Sequence, residues 1–167
     1  GVQTCALPIS FMKNILIPTD FSKASIIALE AGVDMASRVG ASITLLHVIE
    51  ESTSESYTIV GQGHPNDPEQ THFTMELIRK SRRQLEKLVT DPRFAAVEIN
   101  GELRIGNPYH GMRTIITEHQ PDLVVMGTRG HSDLEEMIIG SNTERVVRHM
   151  GCPVLTLHRK PRSEEHT

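Results

Sequence analysis

The stretch VVMGTRGHSDLEEMIIGSNTERVV, residues 124–147, holds the residues whose types and spacing could do chemistry. An apolar run ends in Gly127 and Gly130, and a third glycine, Gly140, precedes Ser141. Glycine tolerates positive φ and has no Cβ, so such turns offer backbone N–H groups to a ligand that comes close. Ser141 and Glu144 have the S-x-x-E spacing of a helix capping box. A helix start presents unpaired N–H donors and positive partial charge, which favour phosphate. The hydroxyls of Ser141 and Thr143 add donors. Ser132 and Glu135 repeat the capping spacing, so a short helix is expected over 133–138. Strand, turn, short helix, turn, helix is an arrangement suited to a sugar and its phosphates. Taken singly, each glycine or S-x-x-E is no more than an ordinary turn or cap.

Those turns need a scaffold. NILIPTD (14–20) is a short apolar run stopped by Pro18 and reads as a buried strand. From Ser22 to Val39 the apolar positions Ile26, Leu29, Val33 and Ala36 keep helical spacing, and Gly40 ends the pattern. SITLLHVIE (42–50) is a second strand. Residues 51–70 are polar and rich in Ser, Gly and Pro, the composition of a long loop. A helix is expected over 71–89, with Phe73, Leu77, Leu85 and Leu88 as its apolar stripe and RKSRR (79–83) on a charged outer face. A glycine-containing strand follows at 96–106, a helix after Pro108, and an all-apolar strand at 122–127. A helix starts near Ser141, and a last strand covers 153–159. This βα alternation predicts an α/β fold. It is a doubly wound, Rossmann-like, five-stranded parallel sheet flanked by about four helices. In such sheets ligands sit beyond the carboxyl ends of the strands, which here carry Pro18-Thr19-Asp20 and Met126-Gly127-Thr128-Arg129-Gly130.

Composition narrows the function classes. With 167 residues, 38% hydrophobic and 23% charged, the chain fits one domain. The formal charge of -4 gives no overall basic footprint for nucleic acid. No apolar run approaches the roughly 20 residues of a membrane span. Neither nucleic acid nor membrane is therefore expected as a partner. Two distant cysteines make no disulfide framework and point to a cytoplasmic setting. The ends have another source. RSEEHT can be written AGA TCG GAA GAG CAC ACG, and the opposite strand contains TGT GCT CTT CCG ATC, which encodes Cys5 to Ile9. Both ends thus fit the two strands of one short DNA that resembles a sequencing adapter. Residues 12–160 are expected to form the domain, with 1–9 and 162–167 as non-native ends.

Other patterns carry less. GNPYHGMR (106–113) has glycines at Walker A spacing but lacks the Lys-Ser/Thr pair, and reads as a loop and helix start. GQGHPN lacks the last glycine of a dinucleotide fingerprint. The histidines show no zinc spacing. His131 reads as a turn residue, and Cys152 as a small apolar filler rather than a redox nucleophile. Asp20 is the one carboxylate near the expected ligand turns, where it could meet a magnesium ion carried by a ligand's phosphates. Arg129 could approach phosphate, but no arginine finger or positioned base is evident. Strong catalysis of phosphate-bond hydrolysis is therefore not expected, and no catalytic residue is assigned.

The spacing G-x2-G-x9-G-S, together with ILIPTDFS, LLHVIE, LVVMGTRGHS, GSNTERVV and CPVLTL in that order, resembles the nucleotide-binding branch of the universal stress protein family. The resemblance spans about residues 12–160. It implies an ATP-binding, stress-response regulatory module, a homodimer joined through the strand 153–159, with a protein partner that the sequence does not name. Carried over by position, Pro18, Thr19 and Asp20 match the family's first-strand site beside the adenosine. His47 and Val48 match the adenine side. Met126, Gly127 and Gly130 match the ribose and α-phosphate turn. Gly140, Ser141 and Thr143 match the phosphate-binding helix start. Asn142 stands where the family often has an apolar residue, and its backbone N–H can still serve. A slow magnesium-dependent ATPase and a structural dimer with an empty site are the alternatives.

Overall fold

The computed structural model describes residues 12–50, 68–128 and 141–157. Five strands alternate with four helices: β1 (Asn14–Pro18), α1 (Lys23–Val39), β2 (Ser42–Ile49), α2 (Pro68–Val89), β3 (Ile99–Ile105), α3 (Pro108–His119), β4 (Leu123–Gly127), α4 (Ser141–His149) and β5 (Val154–Leu157). The sheet is parallel throughout, in the order β3-β2-β1-β4-β5. The winding reverses between β1 and β4, which pair through Ile15 with Leu123 and Leu16 with Val124. The expected doubly wound α/β class is the one observed.

Both sheet faces are covered, which explains the unbroken apolar runs of the central strands. Ile15, Ile17, Ile43, Leu45 and Val125 pack with α1, Leu85 of α2 and Phe94 on one face. Leu16, Leu46, Val124 and Met126 pack with Met112, Ile115 and Val146 of α3 and α4 on the other. The caps of α1 follow the sequence pattern. Ser22 accepts the Ser25 N–H, and Gly40 takes φ 72° and donates its N–H to the Ala36 carbonyl.

Three expectations need correction. The second helix begins at Pro68, not Thr71, so the loop ends earlier; residues 51–67 lie outside the description. Phe73 is 68% exposed rather than part of the apolar stripe, because the packing of α2 on the sheet starts further along, at Ser81 and Leu85. The third strand starts at Ile99, not residue 96, because a 3-10 turn at Pro92–Phe94 buries Phe94 and the chain needs the next residues to reach the sheet edge.

Asp122 pins the sheet at its amino end. Its Oδ2 accepts the backbone N–H groups of Lys13, at 2.6 Å, and Asn14, at 3.0 Å. These two bonds, the Lys13 one first, hold the carboxyl below its ordinary range. Asp122→Ala is expected to cost about 1 kcal/mol, since bonds to a charged acceptor at the surface are worth less than buried ones. The folded pKa is depressed, so this contribution is present above the unfolded value and lost as pH falls through the folded one. Urea unfolding at neutral and acidic pH should show the two proteins converging in acid. The neighbouring Cys152 donates its thiol to the Pro121 carbonyl, at 3.1 Å, and packs beside the second core cluster. Burial, then the Asp122 charge, raises its pKa, so the thiol stays protonated and the filler reading fits.

Candidate functional site

The carboxyl ends of β1 and β2 meet through His47. The Thr19 N–H donates to the Leu46 carbonyl at 2.8 Å. His47 Nδ1 lies 2.8 Å from the Thr19 carbonyl oxygen, which has no proton to give, so Nδ1 is the donor. In the neutral ring this leaves Nε2 as an acceptor. The Phe21 ring packs against the imidazole with centroids 4.3 Å apart. Phe21 itself has φ 63°, the left-handed region, where a bulky residue is strained. Two bonds hold this tight turn: the Phe21 N–H donates to Thr19 Oγ1 at 3.1 Å, and the Ser22 N–H to Asp20 Oδ1 at 2.9 Å.

Thr19 is therefore an organiser. It is 6% exposed, and its amide, carbonyl and hydroxyl, the last also 3.0 Å from Ser25 Oγ, are all engaged within the protein. Asp20 is half-buried, and its Oδ1 accepts the Ser22 N–H within the turn. Val48 points its side chain to the other sheet face, against α3, where Gly111 makes room for it. Pro18, half-buried, ends the strand, and Met126 is a core residue, 6% exposed.

Burial lowers the His47 pKa, against smaller opposite effects from the Thr19 carbonyl and the Asp20 charge. The folded protein thus binds fewer protons than the unfolded chain below about pH 6.5, and stability falls as pH drops through that window. His47→Gln should flatten the loss between neutral pH and the lowered pKa, measured by denaturant unfolding across a pH series.

The second half of the site stands beside the first. A Cβ on Gly127 would lie 3.0 Å from the carbonyl carbon, the oxygen and the Cβ of Ala24, in the first turn of α1. Positive φ occurs in the described glycines at Gly40 and Gly106, not at Gly127. Its bare backbone thus lets a helix sit on the strand end, a different physical reason from the positive-φ turn expected. Thr143, 5% exposed, donates its hydroxyl to the Gly127 carbonyl at 3.3 Å and ties α4 to β4. That hydroxyl is committed. α4 begins at Ser141 itself, and Glu144 pairs forward with Arg148 at 3.0 Å, so Glu144 does not close the expected capping box. Ser141 is exposed and Asn142 half-exposed at the first turn, where helix N–H groups lack partners within the helix.

Pro18, Thr19, Asp20, His47, Met126, Gly127, Ser141, Asn142 and Thr143 thus gather about the reversal of winding. Arg129, Gly130, Gly140, His131 and the segment 133–138 lie outside the described residues. Phe21, Ala24 and Ser25 escaped the sequence reading. The polar cluster in TDFSKAS was the available signal for the turn and cap. Nothing local marks Ala24 as the partner of Gly127.

Comparisons with known proteins agree with this architecture. A putative universal stress protein of Staphylococcus aureus is 31% identical over 151 residues, covering 87% of this chain and 83% of the relative. The universal stress protein MJ0577 of Methanocaldococcus jannaschii is 26% identical over 155 residues, covering 89% of this chain and 96% of the relative. Its solved structure superposes with a TM-score of 0.74, over 89% of this chain and 97% of that one. Two more distant structures share the fold. One is an Arabidopsis thaliana family member with AMP bound, TM-score 0.57 at 18% identity, covering 89% and 93% of the two chains. The other is a universal stress protein in complex with cAMP, TM-score 0.54 at 19% identity, covering 88% and 97%. The sequence model of the universal stress protein family matches residues 12–158, and with the sheet order and relatives in hand the chain belongs to that family.

Proposed function

We propose that this protein is an ATP-binding regulatory module of the stress response, acting in the cytoplasm. The observation that carries the reading is that the Thr19–His47 contact and the first turn of α4, with Ser141 exposed, both stand at the strand ends beside the reversal of winding. Two proteins of the same fold are described with AMP and with cAMP bound, which supports a nucleotide as the ligand class. In this reading the neutral His47 and the strand-end backbone border the base. Gly130 and Gly140 leave room for ribose and phosphates, while the bare position at Gly127 is taken by Ala24. Phosphate donors come from the α4 backbone and the Ser141 hydroxyl, since Thr143 is spent on Gly127. Asp20 would add one carboxylate to a magnesium ion held by the phosphates.

Mass spectrometry of small molecules released from freshly purified protein should find an adenine nucleotide. Titration calorimetry with ATP and magnesium should show binding that Gly140→Val weakens by at least about 100-fold, because a side chain there blocks the approach to a helix start. Unchanged affinity in that variant would sink the assignment. Turnover in the same sample would mark an ATPase rather than a binder.

The family resemblance further supports a homodimer through β5. Its residues Val154–Leu157 are all half-exposed at a sheet edge. An unpaired apolar edge favours a second strand, and two copies can close about a two-fold axis.

A further inference from the structure

The β3 strand forms one edge of the sheet, as β5 forms the other. Its backbone parity is fixed by β2. The Ile43 N–H donates to the Glu98 carbonyl at 2.8 Å, and the Gly106 N–H to the Ile49 carbonyl at 2.9 Å. Even-numbered residues of β3 therefore turn their backbones toward β2, and Gly101, Leu103 and Ile105 turn theirs to the open edge. The side chains alternate between the two faces of the sheet. A Cβ on Gly101 would lie 3.1 Å from Val89 and 3.2 Å from Leu85, so Gly101, Leu103 and Ile105 share the α2 face. Glu102 and Arg104 share the α3 face, where Arg104 lies 3.7 Å from Glu102 and 3.1 Å from Glu118. Ile105 is 52% exposed. Charges on an edge strand ordinarily keep copies apart. These two alternate in sign, which selects a pairing register instead of forbidding every one.

We propose that the β3 edge is a self-association surface, on which a second copy of this chain pairs antiparallel with the two-fold axis at Leu103. Outward backbones meet only when odd-numbered residues face odd-numbered ones, which removes every other register. Of the registers left, centring on residue 102 sets Glu102 against Glu102, and centring on residue 104 sets Arg104 against Arg104. Centring on Gly101 carries Arg104 and Ile105 past the start of the strand at Ile99. Centring on Leu103 sets Glu102 against Arg104 twice, in non-hydrogen-bonded pairs, where side chains approach most closely. The same register sets Ile105 opposite Gly101, which has no side chain to oppose it. Ile105 of each copy then comes beside Leu85 and Val89 of the other and is covered. Backbone parity, charge and apolar cover thus agree on one register. The contact is short and therefore weak, with a Kd on the order of 100 µM. It adds to the proposed β5 pairing, so chains joined at both edges form species larger than a dimer.

Sedimentation of the Thr156→Pro chain, which removes the proposed β5 pairing, reads the β3 contact alone. A dimer should appear as concentration rises through about 100 µM. Glu102→Arg or Arg104→Glu, each added singly, places like charges across both pairs and should weaken association at least about tenfold. An equimolar mixture of the two should recover it to within about threefold, because each copy then offers the charge that the other lacks. Circular dichroism should be unchanged in both, since these side chains lie at the surface. If Thr156→Pro does not fold, the comparison moves to the chain with Thr156 kept. There the mixture should hold heavier species than either variant alone, because β5 pairing involves neither residue 102 nor residue 104. A Thr156→Pro monomer up to about 500 µM, indifference to both charge variants, or a mixture no tighter than its components would overturn the proposal.

Discussion

Gly127→Val is expected to destabilise the protein by about 3 kcal/mol, near the upper end for overpacking a filled site. The reason is the neighbour. The atoms within 3.0 Å of the new Cβ belong to Ala24 and include its backbone, which cannot rotate away as a long side chain would. Relief requires α1 to move off β4. α1 contributes Ala28, Leu29, Val33 and Ala36 to the core, so that movement opens contacts along its length. It also disturbs the Gly127 carbonyl that receives the Thr143 hydroxyl, and with it the seat of α4. Urea unfolding followed by circular dichroism measures the loss. Gly151→Ala is the control: a Cβ there meets nothing within 4 Å, and a change within about 0.5 kcal/mol is expected. Equal midpoints for Gly127→Val and the parent would show that α1 is not locked to β4.

Thr156→Pro is expected to convert the proposed homodimer to monomer at micromolar concentration while sparing the fold. The hydrogen bonds decide this choice of residue. Val124 donates to the Pro153 carbonyl and Thr128 to the Leu157 carbonyl. Residues of that parity therefore turn their backbones toward β4, and Val154 and Thr156 turn theirs to the outer edge. Proline at residue 156 removes an outward donor and leaves the β4 ladder intact. Leu155→Pro, of the inward parity, should instead lower stability, because it removes a ladder bond. Light scattering on the parent and both variants separates the effects. A monomeric parent, or a Thr156→Pro dimer as tight as the parent, would reject β5 as the interface.

Local patterns were enough to read the framework. The apolar runs of β1, β2 and β4, the 3.6-residue spacing of α1, the serine before it and the glycine after it are written in adjacent residues, because strand burial and helix caps depend on near neighbours in the chain. The ordered motifs also sufficed for the family. What only the tertiary structure decided concerns contacts between residues far apart. Gly127 is bare because Ala24, about a hundred residues earlier, lies against it. Thr143 reads as a ligand donor and Thr19 as part of the adenosine site, yet their hydroxyls are used by Gly127 and by Phe21 with Ser25. Burial lowers the His47 pKa against the opposing pull of the Thr19 carbonyl, a balance between segments far apart in the chain that no spacing rule predicts. Phe73 matches a helical stripe in sequence but projects before the helix reaches the sheet, since periodicity gives the phase of a helix and not where along its axis the packing begins.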